Sequence, residues 1–213
     1  KKPRINRVLY KYRLPIFIAF LVLLIDQVLK FYIKLNFFHG EEYRVFGEAF
    51  KLYFVENEGM ALGTKLPGSY GKLILTLFRI VAVGGIGYWL YDAVKKKSPD
   101  LLIISIAMIL AGAAGNILDS VFYGVIFNDS YHSVATLFAD QPYGTWLHGK
   151  VVDMFYFPLW NGYLPEWIPI WGGRYFVFFE YVFNVADAAI SVAVAILLLF
   201  NKKVFVEDKP VTE

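Results

Sequence analysis

DLLIISIAMILAGAAGNILDSVFYG, residues 100–124, decides the class of fold. Between Asp100 and Asp119 it holds no charge. About 20 apolar residues in a helix cross the roughly 30 Å of hydrocarbon in a bilayer, so the stretch reads as a membrane span. Its small residues Gly112, Ala113, Ala114 and Gly115 suit close helix packing. Near its end stands the tetrad Asn116-Ile117-Leu118-Asp119. A nearly identical one, Asn184-Val185-Ala186-Asp187, lies in a later apolar segment. A third acid, Asp153, is flanked by Val151, Val152, Met154 and Phe155. Carboxylates at or near membrane depth are expensive and usually functional. An i, i+3 spacing on a helix sets each Asn beside its Asp on one face.

Outward from this segment, further spans are expected over residues 14–35, 72–94 and 176–200. The first run is long and lacks a small-residue cleavage site, so it reads as a span rather than a removable signal peptide. The segments between spans, 36–70 and 125–175, are more polar or broken by Pro and Gly. Tyr43–Phe46 and Phe50–Val55 read as short strands. Residues 1–13 carry Lys1, Lys2, Arg4, Arg7, Lys11 and Arg13 without an acid. Lys95, Lys96 and Lys97 follow the second span, and Lys202 and Lys203 follow the fourth. The positive-inside rule then places both termini in the cytoplasm and the two long connecting segments outside. The expectation is one membrane-embedded domain, mainly α, with four transmembrane helices.

The whole composition agrees. Of 213 residues, 58% are hydrophobic and 19% aromatic, against about 45–50% apolar in soluble domains. Tyr and Trp of residues 143–181 suit interfacial anchoring. The formal charge of +3 is modest and forms no basic stripe, which argues against a nucleic-acid partner. With no Cys, thiolate catalysis and Cys-ligated metals are excluded. His39, His132 and His148 are too dispersed for a metal motif.

Several acids converging in an apolar setting suit a dyad sharing one proton, the arrangement of an aspartic protease. The residues alone do not choose which two of Asp119, Asp153 and Asp187 form it. Asp26 and Lys30, at i, i+4, read as a pair that lets the first helix insert, or as a device that organises the outer segment. Asn57-Glu58-Gly59 opens a turn whose small residues let an extended peptide approach the backbone. Blander readings stand beside these: Asn116 and Asn184 as interhelical hydrogen-bond donors, and residues 57–63 as an ordinary turn. Two other functional classes also place acids in spans. A proton-coupled transporter would show internal repeats or broken helices at the midplane, where this chain has only the Asn-x-x-Asp echo. A membrane scaffold would tolerate Asp→Asn changes.

Five pieces, in order, carry a resemblance: Asp26-Gln27-Val28-Leu29-Lys30; Asn57-Glu58-Gly59-Met60-Ala61-Leu62-Gly63; Gly112 to Asp119; His148-Gly149-Lys150-Val151-Val152-Asp153; and Phe183-Asn184-Val185-Ala186-Asp187. The chain resembles the lipoprotein signal peptidase, or signal peptidase II, family. The resemblance implies a bacterial inner-membrane aspartic endopeptidase that needs no metal or organic cofactor. It would cleave signal peptides from diacylglyceryl-modified prolipoproteins before the lipidated cysteine. It implies Asp153 and Asp187 as the catalytic dyad. Asp26, Lys30, Asn57, Gly59, Asn116, Asp119 and Asn184 would bind substrate or support the dyad. The strand-like pieces of 36–70 are expected to form a small extracytoplasmic β-cradle, and the charge orientation places the active site near the outer face. The extra length between Asp119 and Asp153 and between Asp153 and Asn184 departs from the family and is expected to enlarge that outer platform as loop insertions. The resemblance further implies contact with membrane lipids and inhibition by cyclic peptides. A monomer suffices, since one chain holds every group. The family's Arg after the third-span acid is Ser120 here, with Arg79 and Arg174 as candidate replacements. Leu62 stands where the family has an aromatic.

Overall fold

The computed structural model describes residues 4–58 and 70–205. Gly59 and Leu62 of the glycine-punctuated turn lie outside the described residues.

Helix α1 covers Arg4–Asn36, and the antiparallel strands β1, Glu42–Phe46, and β2, Phe50–Asn57, follow it. Helix α2 spans Gly71–Lys95 and α3 spans Asp100–Leu118. A π-helical turn, Asp119–Tyr123, and a short α4, Gly124–Ile126, complete the third apolar rod. Tyr12–Asn36, Gly71–Lys95 and Asp100–Ile126 are three helices long and apolar enough to cross a membrane. After a long connection come β3, Val151–Tyr156; β4, Trp160–Tyr163; β5, Tyr175–Phe178; and β6, Val182–Phe183. Helix α5, Val185–Leu199, and α6, Asn201–Val204, follow.

The fourth expected span, 176–200, divides. Its aromatic and β-branched start, Phe176-Val177-Phe178, pairs with β4 together with the preceding Tyr175, as such side chains favour. Val182 and Phe183 pair with β3. Only the 15 residues of α5 remain helical, about 22 Å at 1.5 Å per residue. The mainly helical class with a small sheet stands.

The chain divides into two compact units. One comprises residues 1–28, 73–118 and 185–213. In it α3 and α5 pack through small side chains. A Cβ on Gly112 would collide with the Ala186 carbonyl oxygen, and one on Gly115 would stand 2.7 Å from the Asp26 carboxylate. Ala93, Val94, Leu102, Ile103, Ile106 and Val204 form its buried apolar cluster.

The other unit comprises residues 29–72 and 119–184. Its four-stranded sheet has the order β1-β2-β3-β6, and β4 with β5 makes a separate two-stranded hairpin. All four pairings are antiparallel. Between β2 and β3, Lys51 faces Tyr156 and Leu52 faces Phe155. After a bulge, Val55 faces Asp153, Glu56 faces Val152 and Asn57 faces Val151. Phe54, Val152 and Met154 sink into a core with Ile33, Phe37, Tyr123 and Phe127. Phe31, Tyr123 and Phe127 meet edge to face, with ring centroids 5.0–5.5 Å apart. The strand β3 lies where a loop was expected. Its partner β2 is nearly a hundred residues earlier in the chain, so no local turn signal announces it.

Candidate active site

Asp153 lies in the middle of β3 and is 3% exposed. Its neighbours along the strand alternate faces, so Val152 and Met154 serve the core while Asp153 points the other way. Two amides converge on it. Asn184 Nδ2 donates to Oδ1 at 2.7 Å, and Asn57 Nδ2 donates to Oδ2 at 3.4 Å. The buried Asn184 also donates to the Val152 carbonyl at 3.3 Å. Its position just after β6 carries it to β3.

Val152 links this group to a buried ion pair. Its N–H donates to Asp119 Oδ2 at 3.3 Å, and Lys30 Nζ stands 2.8 Å from the same oxygen. Lys30 and Asp119 are both fully buried. A buried pair of this kind contributes little net stability against an apolar replacement, yet removing one partner strands a charge and costs about 3–5 kcal/mol. Asp119 begins the π turn, which Gly149 approaches closely: Gly149 N donates to the Ser120 carbonyl at 2.8 Å, and a Cβ on Gly149 would collide with the Asp119 carbonyl oxygen. Single π turns inside helices frequently mark functional sites.

In the other unit, Asp187 sits in the first turn of α5 and accepts Asn116 Nδ2 at 2.8 Å. Asp26 receives the Ala186 backbone N–H at 2.9 Å. It thereby satisfies one of the donors that every helix start leaves open, and it places an anion where the helix dipole favours one. Gln27 Nε2 donates both to Asp26 Oδ2 at 3.1 Å and to the Gly115 carbonyl at 3.2 Å. Gly115 must therefore be small. Arg79 lies on α2.

These contacts correct the local reading of the tetrads. Asn184 lies ahead of α5 rather than on its face, and its amide goes to Asp153. Asn116 is helical, and its amide goes to Asp187. The structure thus brings Asp153, Asn57 and Asn184 together in one unit, with Lys30 and Asp119 joined through Val152. In the other it brings Asp187 to Asn116 and Asp26 to the start of α5.

Sequence reasoning missed two clusters. Lys34 pairs with Glu56, whose other oxygen lies 3.2 Å from Lys150 Nζ. Lys34 continues the i, i+4 spacing of Asp26 and Lys30, which was the available signal. The Tyr143 hydroxyl accepts the Lys150 backbone N–H at 2.8 Å, and burial pushes the Tyr143 phenol up, so it stays neutral. Lys72 donates to the Glu58 carbonyl at 2.7 Å and reaches Ser120 Oγ at 3.5 Å. A cation not foreseen from the sequence therefore lies beside Ser120. Among the described residues, no group of three or more His, Asp or Glu is arranged to hold a metal ion.

The model of the family described as Signal peptidase (SPase) II matches residues 18–202. A lipoprotein signal peptidase of Porphyromonas gingivalis is 49% identical over 181 residues, covering 84% of this chain and 78% of its own length. One of Amoebophilus asiaticus is 39% identical over 188 residues, covering 85% and 75%. A solved bacterial membrane enzyme covers 92% of this chain and 94% of its own, with a TM-score of 0.58 and 21% identity. This last likeness is one of fold.

Proposed function

This chain belongs to the signal peptidase II family, and on that premise we propose that it removes signal peptides from diacylglyceryl-modified prolipoproteins, with Asp153 and Asp187 as its catalytic dyad. The enzyme is a membrane-embedded hydrolase. The observation that carries the assignment of the dyad is the parallel environment of the two acids: each carboxylate receives an Asn side-chain amide, from Asn184 and Asn116 respectively. Asp119 has a different setting, bound directly to the Lys30 ammonium and a backbone N–H, which suits a support rather than a proton carrier.

Two carboxylates serving one site cannot both ionise cheaply, so the dyad holds one proton between them. The ionised member takes a proton from water, and the resulting hydroxide attacks the carbonyl before the lipidated cysteine. The protonated member donates to the carbonyl oxygen. As the tetrahedral carbon collapses, the C–N bond breaks and the leaving amine takes up a proton. Asn57, Asn116 and Asn184 orient the two acids through hydrogen bonds, and such orientation is what preorganised sites require.

In this reading the sheet β1-β2-β3-β6 is the cradle for the extended peptide, and α5 serves as the fourth span. Both termini lie in the cytoplasm, with the site near the outer face of the inner membrane. Lipids surround the spans, a monomer is complete, and cyclic peptides that block the family inhibit it. Gly59 takes part in peptide approach. The transporter reading has no support from the family or the relatives.

The test is cleavage of a diacylglyceryl-modified prolipoprotein by purified protein in detergent. Asp153→Asn and Asp187→Asn are each expected to lower kcat by about 10⁴-fold or more while the variants stay folded. Cleavage surviving in the folded double variant would sink the assignment.

A further inference from the structure

Strand β2 crosses β3 in two registers. Lys51 and Leu52 obey one; Val55, Glu56 and Asn57 obey another, displaced by a single residue at the bulge between them. Had the first register continued, Phe54 would stand opposite Asp153 and Glu56 opposite Val151. Glu56 would then lie on the face of Asp153, and Asn57 would turn to the core. A one-residue slip sends every side chain to the other face, so the bulge decides whether an amide or a carboxylate meets Asp153.

Something must hold the displaced register. Apolar packing of Phe54, Val152 and Met154 rewards burial without direction. The ion cluster on the core face is directional. Glu56 is opposite Val152, and Lys150 stands just ahead of β3, two residues before Val152, so the Glu56–Lys150 contact at 3.2 Å runs diagonally between the two chain segments. The Glu56 side chain is 1% exposed, and its other oxygen is taken by the fully buried Lys34. Lys34 is held in turn by Ser130 Oγ at 2.7 Å. Its ammonium stands over the rings of Phe54, Phe127 and Tyr143 at 4.8–5.7 Å, and Lys150 stands over Tyr131 and Tyr143 at 4.9 and 5.2 Å. Slipping β2 by one residue would pull Glu56 from both cations and leave the fully buried Lys34 without its carboxylate.

We propose that Lys34, Glu56 and Lys150 are positioning residues: their cluster pins β2 in its post-bulge register and so presents Asn57 to Asp153. The inference rests on the reading of Asp153 as catalytic. The three residues act on the reaction through Asn57, not on the substrate.

Lys150→Gln loosens the cross-strand tie while leaving the neutral Lys34–Glu56 pair. It is expected to lower kcat about tenfold with KM held within about twofold, and Lys150→Arg should recover most of the loss. Because the effect runs through Asn57, Asn57→Ala/Lys150→Gln should be no slower than Asn57→Ala alone. Should Lys150→Gln not fold, Glu56→Gln/Lys34→Met, which replaces the buried pair by neutral side chains of similar size, enters the same cycle with the same expectation. Equal fold-losses in the presence and absence of Asn57, or a change confined to KM, would overturn the proposal. Asp153→Asn is assayed in parallel. If it still cleaves, the catalytic reading falls and this inference with it; if it is dead while the cycle is additive, the inference alone falls.

Discussion

Asp153 stands in a buried strand of one unit, whereas Asp187 stands in the first turn of a helix in the other. The strand acid depends on register and on partners drawn from distant parts of the chain: Asn57 from β2, Asn184 from beyond β6, and the Lys30–Asp119 pair through Val152. The helix acid depends on close packing. Gly112 and Gly115 let α3 approach α5 and Asp26, Asp26 caps the Ala186 N–H, and Asn116 then reaches Asp187. One carboxylate is aimed by polar connections and the other by the absence of side-chain volume. The two should therefore fail in different ways.

The largest difference is expected at Lys30. Lys30→Met leaves the Asp119 carboxylate buried without its ammonium and should cost about 3–5 kcal/mol, and Lys30→Met/Asp119→Asn should regain most of it. Thermal unfolding in detergent measures both. A single variant as stable as wild type would mean that the strand acid is not held by this ionic connection.

Gly112→Leu attacks the packing side. A side chain there meets the Ala186 carbonyl and Ile190, and overpacking of this kind costs about 1–3 kcal/mol or more. The same unfolding assay should show the loss, and no added charge or hydrogen bond should relieve it. Gly112→Ala, the smaller intruder, should lie between Gly112→Leu and wild type. Indifference to Leu would remove the case for volume as the controlling quantity.

The smallest effect compares the two amides. Asn184→Ala removes a buried donor to both Asp153 and the Val152 carbonyl and should cost about 1–3 kcal/mol. Asn116→Ala removes a half-buried donor to Asp187 and should cost about 0.5–1.5 kcal/mol. Reversal of that order in unfolding midpoints would show that the helix acid, rather than the strand acid, carries the tighter hydrogen bonding.

Much of this architecture is legible locally. Long, mostly apolar runs announce α1, α2 and α3 because bilayer-length hydrophobicity is a property of one continuous segment. The alternation and aromatic content of residues 42–57 announce β1 and β2 in the same way. The candidate acids and amides also declare themselves, since a charge or amide inside an apolar run is conspicuous. By contrast, β3 was hidden in an expected loop, and the fourth apolar segment conceals the strands at 175–178 and 182–183. A strand becomes one only when a partner pairs with it, and the partner of β3 lies almost a hundred residues away.

The partners of the amides show the same limit. From spacing, Asn184 belongs with Asp187 and Asn116 with Asp119; in the fold Asn184 bonds Asp153 and Asn116 bonds Asp187. Lys34, Glu56 and Lys150 look like scattered surface charges until strand pairing and helix placement bring them together, and nothing in the sequence sets Lys72 beside Ser120. Residue type and short-range hydrophobicity are written along the chain, so the sequence by itself determined the apolar helices and which groups are chemically capable. Hydrogen-bond geometry and burial depend on segments that meet only after folding, so only the tertiary structure decided which amide serves which acid and which charges are compensated.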